Sequence, residues 1–314
     1  MIDIVIVNWN AGKLIQSCIE SIHRYDDAVV NNIFVVDNGS TDGSDSKIGN
    51  RPLVTLIRAK ENLGFAKACN LGAGYATSEF VLFLNPDTLI FPDTFKRVLG
   101  YMSEPEQVSC GICGIQLLDD KDNTLRHCSR IPTISSLLFH TLGFDRLIPK
   151  LGYVMGEWDH MDTRRVDHVI GAFYLVRRSV FVQLCGFDER FFVYLEDLDF
   201  SLRAKQNGWD CAYYSEAKSH HLCGGTSRQV KAKRLFYSVR SRILYVYKHF
   251  SQFDSAKILI TTMIIEPLTR IMWSARIRSL SSLTESLTAY GYLLQWIYKK
   301  AKHKLKLKLK RKSL

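Results

Sequence analysis

The chain has 314 residues, 46% of them hydrophobic and 23% charged. That excludes a chain too short or too polar to bury a core, and it leaves room for one large domain with an appendage or for two modest domains. The formal net charge is +11, but residues 299–314 carry eight Lys and one Arg with no acid, leaving only +2 elsewhere; the body of the chain has no general need of a polyanionic partner.

Met1-Ile2-Asp3 lacks a basic start and a cleavage site, so the first strand is expected with no signal peptide before it. Residues 4–7, 33–36, 54–57 and 80–84 are short, β-branched or aromatic, and apolar on both faces, the pattern of parallel strands covered on both sides. Leu14, Cys18 and Ile22 recur at four-residue spacing beside Ile15 and Ile19, predicting a helix, and a second helix fits residues 64–76. The order strand, helix, strand, strand, helix, strand indicates an α/β sheet that binds ligands at the carboxyl ends of its strands.

Those ends carry Asn8-Trp9-Asn10, Asp37-Asn38-Gly39-Ser40-Thr41-Asp42-Gly43-Ser44 and Asn85-Pro86-Asp87-Thr88. Each alone is ordinary turn chemistry. Three strand ends delivering Asn or Asp to one edge point to a crevice instead. Neither GxxxxGK[ST] nor GxGxxG occurs, so phosphates there need a metal or a cationic side chain. Asn38-Gly39-Ser40 matches a glycosylation sequon, a match common by chance. Of the eight scattered cysteines only Cys110-Gly-Ile-Cys113 has metal-like or redox-like spacing, without a second pair to complete a zinc site, so the set reads as reduced core thiols.

Farther on, Phe191-Phe192-Val193-Tyr194-Leu195-Glu196-Asp197-Leu198-Asp199 crowds three carboxylates against an apolar run. Such acids cap structure, hold a cation or move a proton. Leu198, Leu202 and the Asn207-Gly208 stop read as a helix, so Asp197 or Asp199 could cap it. A carboxylate at a helix start is also kept ionised, as a base requires.

Val35-Val36-Asp37-Asn38-Gly39-Ser40-Thr41-Asp42-Gly43, Asn62-Leu63-Gly64-Phe65-Ala66, Leu84-Asn85-Pro86-Asp87-Thr88, Gly171-Ala172-Phe173, Gly186-Phe187-Asp188-Glu189 and Glu196-Asp197-Leu198-Asp199 occur in that order. Together they resemble the inverting family-2 glycosyltransferases of the GT-A fold over residues 2–228, and the Asn-Pro-Asp-Thr form resembles bacterial rhamnosyltransferases. The resemblance implies that Asp37 accepts a hydrogen bond from N3–H of uracil or thymine, with Asn8, Asn38, Asn62, Gly64 and Asn85 around the nucleotide sugar. It implies that Asp87 holds Mg²⁺ or Mn²⁺ on the diphosphate. Asn85 replaces the first acid of Asp-x-Asp, so the metal is expected to arrive with the nucleotide sugar. His221 matches a position from which family members reach the metal or diphosphate. Asp197 is the implied general base of a single displacement, with Glu196 and Asp199 orienting the acceptor or the helix.

The expected architecture is a GT-A catalytic domain over 1–228 and a helical, membrane-associating extension over 229–314. Arg228–His249 reads as a basic, aromatic helix. Residues 257–273 are apolar but interrupted by Glu266, Pro267 and Arg270, too short and charged to span a bilayer, so an interfacial helix or one packing on the catalytic domain is expected. Tail residues Lys304, Lys306, Lys308 and Lys310 alternate with Leu305, Leu307 and Leu309, which fits an anionic membrane surface, a disordered tail or nonspecific nucleic-acid binding; no motif supports specific nucleic-acid recognition. The resulting expectation is a cytoplasmic enzyme, peripheral on the inner membrane face. It moves L-rhamnose from a dTDP donor to a glycan or lipid-linked acceptor in bacterial surface-polysaccharide assembly. Alternatives are a UDP-hexose or UDP-N-acetylhexosamine donor, a noncatalytic nucleotide-sugar or polyanion binder, and a phosphohydrolase, against which Asn85 argues because paired metals want more carboxylates.

Overall fold

A computed structural model describes every residue except 26, 50, 223–229 and 313–314; the side chains of 27, 146 and 303–312 also lie outside the description. The chain divides into two compact units, 1–226 and 227–314.

In the first unit the elements are β1 (Ile2–Asn8), α1 (Leu14–Tyr25), β2 (Val30–Asp37), β3 (Val54–Arg58), α2 (Phe65–Ala73), β4 (Phe80–Leu84), β5 (Thr88–Ile90), α3 (Thr94–Met102), β6 (Cys110–Leu118), α4 (Ile134–Leu142), β7 (Arg164–Val166), β8 (Phe173–Arg177), α5 (Arg178–Gln183), α6 (Glu196–Gln206) and β9 (Asp210–His221). They build one nine-stranded sheet in the order β3-β2-β1-β4-β8-β6-β9-β5, with β7 on β9. Six of the nine strands run in one direction; β5, β7 and β8 are antiparallel to their neighbours. The four strands expected from their apolar runs are all present, and they are parallel because helices α1 and α2 supply the crossovers.

Alternation along the strands sends side chains to two separate cores. Ile4, Ile6, Val35 and Leu82 face the layer that holds Ile15, Ile19, Ile22 and Phe95, whereas Val5, Val36, Val81 and Phe83 face Cys69, Phe181 and Phe200. The sheet is thus covered on both faces, which places its carboxyl edge as the open side. Cys110 and Cys113 lie buried on β6, and burial pushes both thiols up, as expected of inert core residues; the described cysteines are all free.

The second unit contains α7 (Lys231–His249), α8 (Gln252–Ile260), a π-helical turn at Thr261–Ile265, α9 (Glu266–Arg276) and α10 (Leu280–Lys312). They pack around Val239, Ile243 and Leu293. Residues 257–273 are helical as expected, but the expectation that they are too short and charged to span a bilayer is corrected by the length of the helix that contains them. Gln252–Arg276 is one continuous helix, long and apolar enough to cross a membrane by length and composition alone. Pro267 sits in the first turn of α9, just after the π turn, a position proline tolerates, and Glu266 is buried against Arg242 and Arg270. The basic tail continues α10 as helix to Lys312 rather than as a disordered end.

Candidate active site

Parallel pairing sets Asn8 directly beside Asp37 at the ends of β1 and β2. Asn8 Nδ2 donates to Asp37 Oδ1 at 2.8 Å and to Ser44 Oγ at 2.9 Å, while Ser40 N donates to Asp37 Oδ2 at 3.3 Å. Asn8 is fully buried, so it orients Asp37 from behind. Asn38 ties this end to the next loop: its Oδ1 accepts from Leu63 N at 2.8 Å, and its Nδ2 donates to Asn62 Oδ1 at 3.1 Å. Asn62 Oδ1 in turn accepts from Gly64 N at 2.9 Å. With its amide buried and engaged, Asn38 is no surface glycosylation acceptor.

Gly64 has φ +84°, and a Cβ there would stand 2.4 Å from Phe192 O. Only glycine tolerates both conditions. The adjacent Phe65 N donates to that same oxygen, so the loop of Asn62 and Gly64 carries the segment leading into the acid cluster.

At the β4 end, Asn85 N donates to Ala172 O at 3.0 Å. The short strand β5 pairs Thr88 with His221 on β9, which brings His221 Nε2 to 3.3 Å from Asp87 Oδ1 and 3.3 Å from Asn85 Nδ2. Asp87 and His221 are both buried. A carboxylate and an imidazole at this separation fit one divalent ion. Among the described residues no group of three or more His, Cys, Asp and Glu side chains stands together to hold a metal unaided, so the donor set fits an ion that shares its coordination with a diphosphate. The Cys223-Gly224-Gly225 continuation of the His221 motif lies outside the described residues.

The acid cluster opens α6. The Ncap is Leu195, in the left-handed region with Tyr194 before it (φ 65° and 69°), and its side chain offers no cap hydrogen bond. Neither Asp197 nor Asp199 takes the Ncap position, which falls on an apolar residue, but both stand in the first turn and Asp197 accepts from an N–H there. Two consecutive non-glycine residues at positive φ store strain of about 1–3 kcal/mol each. Asp197 is instead held sideways, Oδ2 accepting from Gly171 N at 2.8 Å and Oδ1 from Leu198 N at 2.8 Å.

The three acids part company here. Asp199 is fully buried in an ion pair with Arg203 at 2.8 Å, and Arg203 also donates to Leu184 O and Gly186 O, so Asp199 supports the helix and its packing. Glu196 is buried, with one carboxyl oxygen lacking a hydrogen-bond partner. Burial first, and then the neighbouring Asp197 charge, push its carboxyl well above the ordinary range. His168, which the sequence reading missed, lies 3.9 Å from Asp197 Oδ2 with Nδ1 at 3.0 Å from Ser201 Oγ. Burial holds His168 below the usual imidazole range, against the pull of Asp197 and Asp167. Its nearness to Gly171-Ala172-Phe173 in sequence was the one available signal.

Residues 3–182 match the family model described as Glycosyl transferase family 2. An N-acetylglucosaminyl-diphospho-decaprenol L-rhamnosyltransferase of Mycobacterium tuberculosis is 30% identical over 243 residues, covering 73% of this chain and 78% of that protein. A rhamnosyltransferase of Escherichia coli is 28% identical over 194 residues, covering 58% of this chain and 70% of its own. Among solved structures, a mannosyltransferase from Pyrobaculum calidifontis, in complex with GDP-Man and Mn²⁺, shares the fold with a TM-score of 0.53 at 15% identity, over 97% of this chain and 80% of its own.

Proposed function

The chain belongs to glycosyltransferase family 2 and has its GT-A fold; from that premise we propose that it is an inverting rhamnosyltransferase, taking L-rhamnose from a dTDP donor to a lipid-linked saccharide in surface-polysaccharide assembly. The rhamnosyl and lipid-linked parts are supported by the name of the mycobacterial relative. Residues 1–226 are assigned catalysis and 227–314 attachment at the inner face of the cytoplasmic membrane, where such an acceptor resides.

One observation carries the chemical reading. Segment 171–172 bridges the two halves of the site: Ala172 O receives Asn85 N from the β4 end, and Gly171 N grips Asp197. The base and the diphosphate end are thereby held on one rigid strand start, as alignment of two reactants demands.

Asp37 accepts N3–H of the donor's thymine or uracil, a proton that cytosine lacks. Asn38 and Asn62 hold the loop over that nucleotide. Asp87 and His221 would hold Mg²⁺ or Mn²⁺, which when bound neutralises charge on the departing diphosphate. Asp197 takes the proton of the acceptor hydroxyl, whose oxygen forms the new bond to the anomeric carbon as the bond from that carbon to the diphosphate oxygen breaks. Attack opposite the leaving group inverts the centre. Gly171 and Leu198 N–H fix the carboxylate so that no reorientation is needed during transfer.

The test is a screen of nucleotide sugars with Mn²⁺ for thermal stabilisation, followed by transfer to a lipid-diphosphate-linked saccharide. Stabilisation by dTDP-rhamnose with rhamnosylated product is expected. A shift confined to UDP-sugars would replace the donor, and binding without product would leave a noncatalytic binder.

A further inference from the structure

The helix Gln252–Arg276 carries an apolar stripe on its exposed face. Its inward face is mixed: Ser255, Ile258, Thr261, Thr262, Glu266 and Ser274 are buried, and Leu259 and Met263 pack on the core of the second unit. Its outward positions are apolar: Ile264 is 59%, Leu268 56% and Met272 71% exposed, in line with Phe253 and Ile260 on the same face and flanked by Trp273. The spacing 253, 260, 264, 268, 272 follows one helical stripe. A helix packed in water keeps its apolar stripe on the core; this one also turns a second apolar stripe out.

The inward polar groups are committed. Ser255 Oγ donates to Val246 O at 2.9 Å, Arg242 Nη2 donates to Thr262 Oγ1 at 3.2 Å and also to Glu266, and Arg270 Nη2 donates to Glu266 Oε1 at 2.8 Å. A spanning orientation would carry Glu266, Arg270 and their partner Arg242 into hydrocarbon, whereas an in-plane orientation keeps them on the protein side. Charge names the occupant. Residues 252–314 hold thirteen Lys and Arg against three Asp and Glu, and Lys257, Arg276 and Arg278 are exposed along or just beyond this helix.

We infer that the outward stripe of Gln252–Arg276 lies in the plane of an anionic phospholipid surface, with Ile264, Leu268 and Met272 in the acyl boundary and the flanking cations at the headgroups. The inference extends the membrane part of the reading above and locates it in this helix rather than in the tail. It is tested with neither donor nor acceptor, so vesicle binding and sugar transfer succeed or fail separately.

Full-length protein is floated with phosphatidylglycerol–phosphatidylcholine vesicles. Ile264→Asp with Leu268→Asp replaces only exposed side chains and is expected to lower the bound fraction at least about tenfold at any salt concentration, with an unchanged circular dichroism spectrum. Replacing Lys299, Lys300 and Lys302 by Ser is expected to remove only a salt-sensitive part. Wild-type binding by the double variant overturns the inference. So does a self-associating protein that ignores vesicles and whose association the double variant abolishes. Depth is read with brominated lipids: the quenching gained by Ile264→Trp is expected to be strongest for bromines near the headgroup, and strongest quenching at the chain ends would overturn the in-plane orientation.

Discussion

The Gly171 backbone N–H donates to Asp197 Oδ2 at 2.8 Å, and a Cβ built on Gly171 would stand 3.2 Å from the same oxygen. The carboxylate is therefore positioned by main chain, and an asparagine in its place keeps one of the two backbone hydrogen bonds. Asp197→Asn is expected to lower kcat about 10²- to 10⁴-fold, the usual contribution of a placed base, while the Kd for dTDP stays within about twofold. Single-turnover transfer and calorimetric titration check the two halves. Retained turnover removes Asp197 as the base.

Glu196 differs from its neighbour in both burial and role. With its carboxyl pushed up by burial and by Asp197, the folded state favours the neutral acid. Glu196→Gln is therefore expected to keep turnover within about tenfold of wild type, in contrast to Asp197→Asn. The sign for stability follows from a folded pKa above the unfolded one. Wild type is relatively stable below the ordinary glutamate pKa and loses stability as pH rises through the folded value, whereas the amide does not. Thermal melts at pH 5 and pH 8 should show the variant gaining on wild type at the higher pH; parallel shifts would place an ionised Glu196 in the fold.

Asp87 and His221 meet only because β5 folds back on β9. Asp87→Ala is expected to abolish the divalent-ion dependence of transfer along with most activity. His221→Ala should instead raise the Mn²⁺ concentration needed for half-maximal rate by about tenfold or more, leaving the saturated rate less affected. Rate against Mn²⁺ concentration separates the two. An unchanged Mn²⁺ response in Asp87→Ala would move the ion elsewhere.

In one half of the sheet, strands β1, β2 and β4 were legible in the sequence because their apolar runs are buried on both faces and end at Asn or Asp, and the edge strand β3 was legible from its apolar run although none of its residues is fully buried. The other half was not. Strand β6 is built from Cys110, Gly111, Cys113 and Gly114, small residues that admit Trp209 and Val169 from the layer above, and its composition resembles a metal motif more than a strand. The 12-residue β9 is half polar, and its far end sends His221 to the site while His220 turns to Asp119 and Phe91. The split among Glu196, Asp197 and Asp199 was equally hidden. Consecutive helical residues diverge by about 100°, so one acid enters the cleft while another meets Arg203, and only the direction of α6 decides which.

The neutral histidines beneath the site set an acid limit on the fold. His127 Nε2 lies 3.1 Å from Ile115 O, its Nδ1 is buried without a hydrogen-bond partner, and it stands beside His160. Burial, and then the His160 charge, lower its pKa to about 3 despite the bond to Ile115. Above the ordinary histidine pKa both folded and unfolded chains carry it neutral. As pH falls below about 6.5 the unfolded chain takes up a proton that the folded one refuses, so stability declines until the folded residue titrates. At pH 5 this one residue costs about 2 kcal/mol relative to pH 7.5. His127→Gln keeps an N–H for Ile115 O but does not titrate, so its urea unfolding free energy should fall less between those two pH values by about that amount. The transition is followed by tryptophan fluorescence, to which Trp158, buried beside His160, contributes. Parallel pH profiles for the two proteins would mean that the unfolded and folded chains protonate His127 alike, and the acid sensitivity of the fold would then lie in other groups.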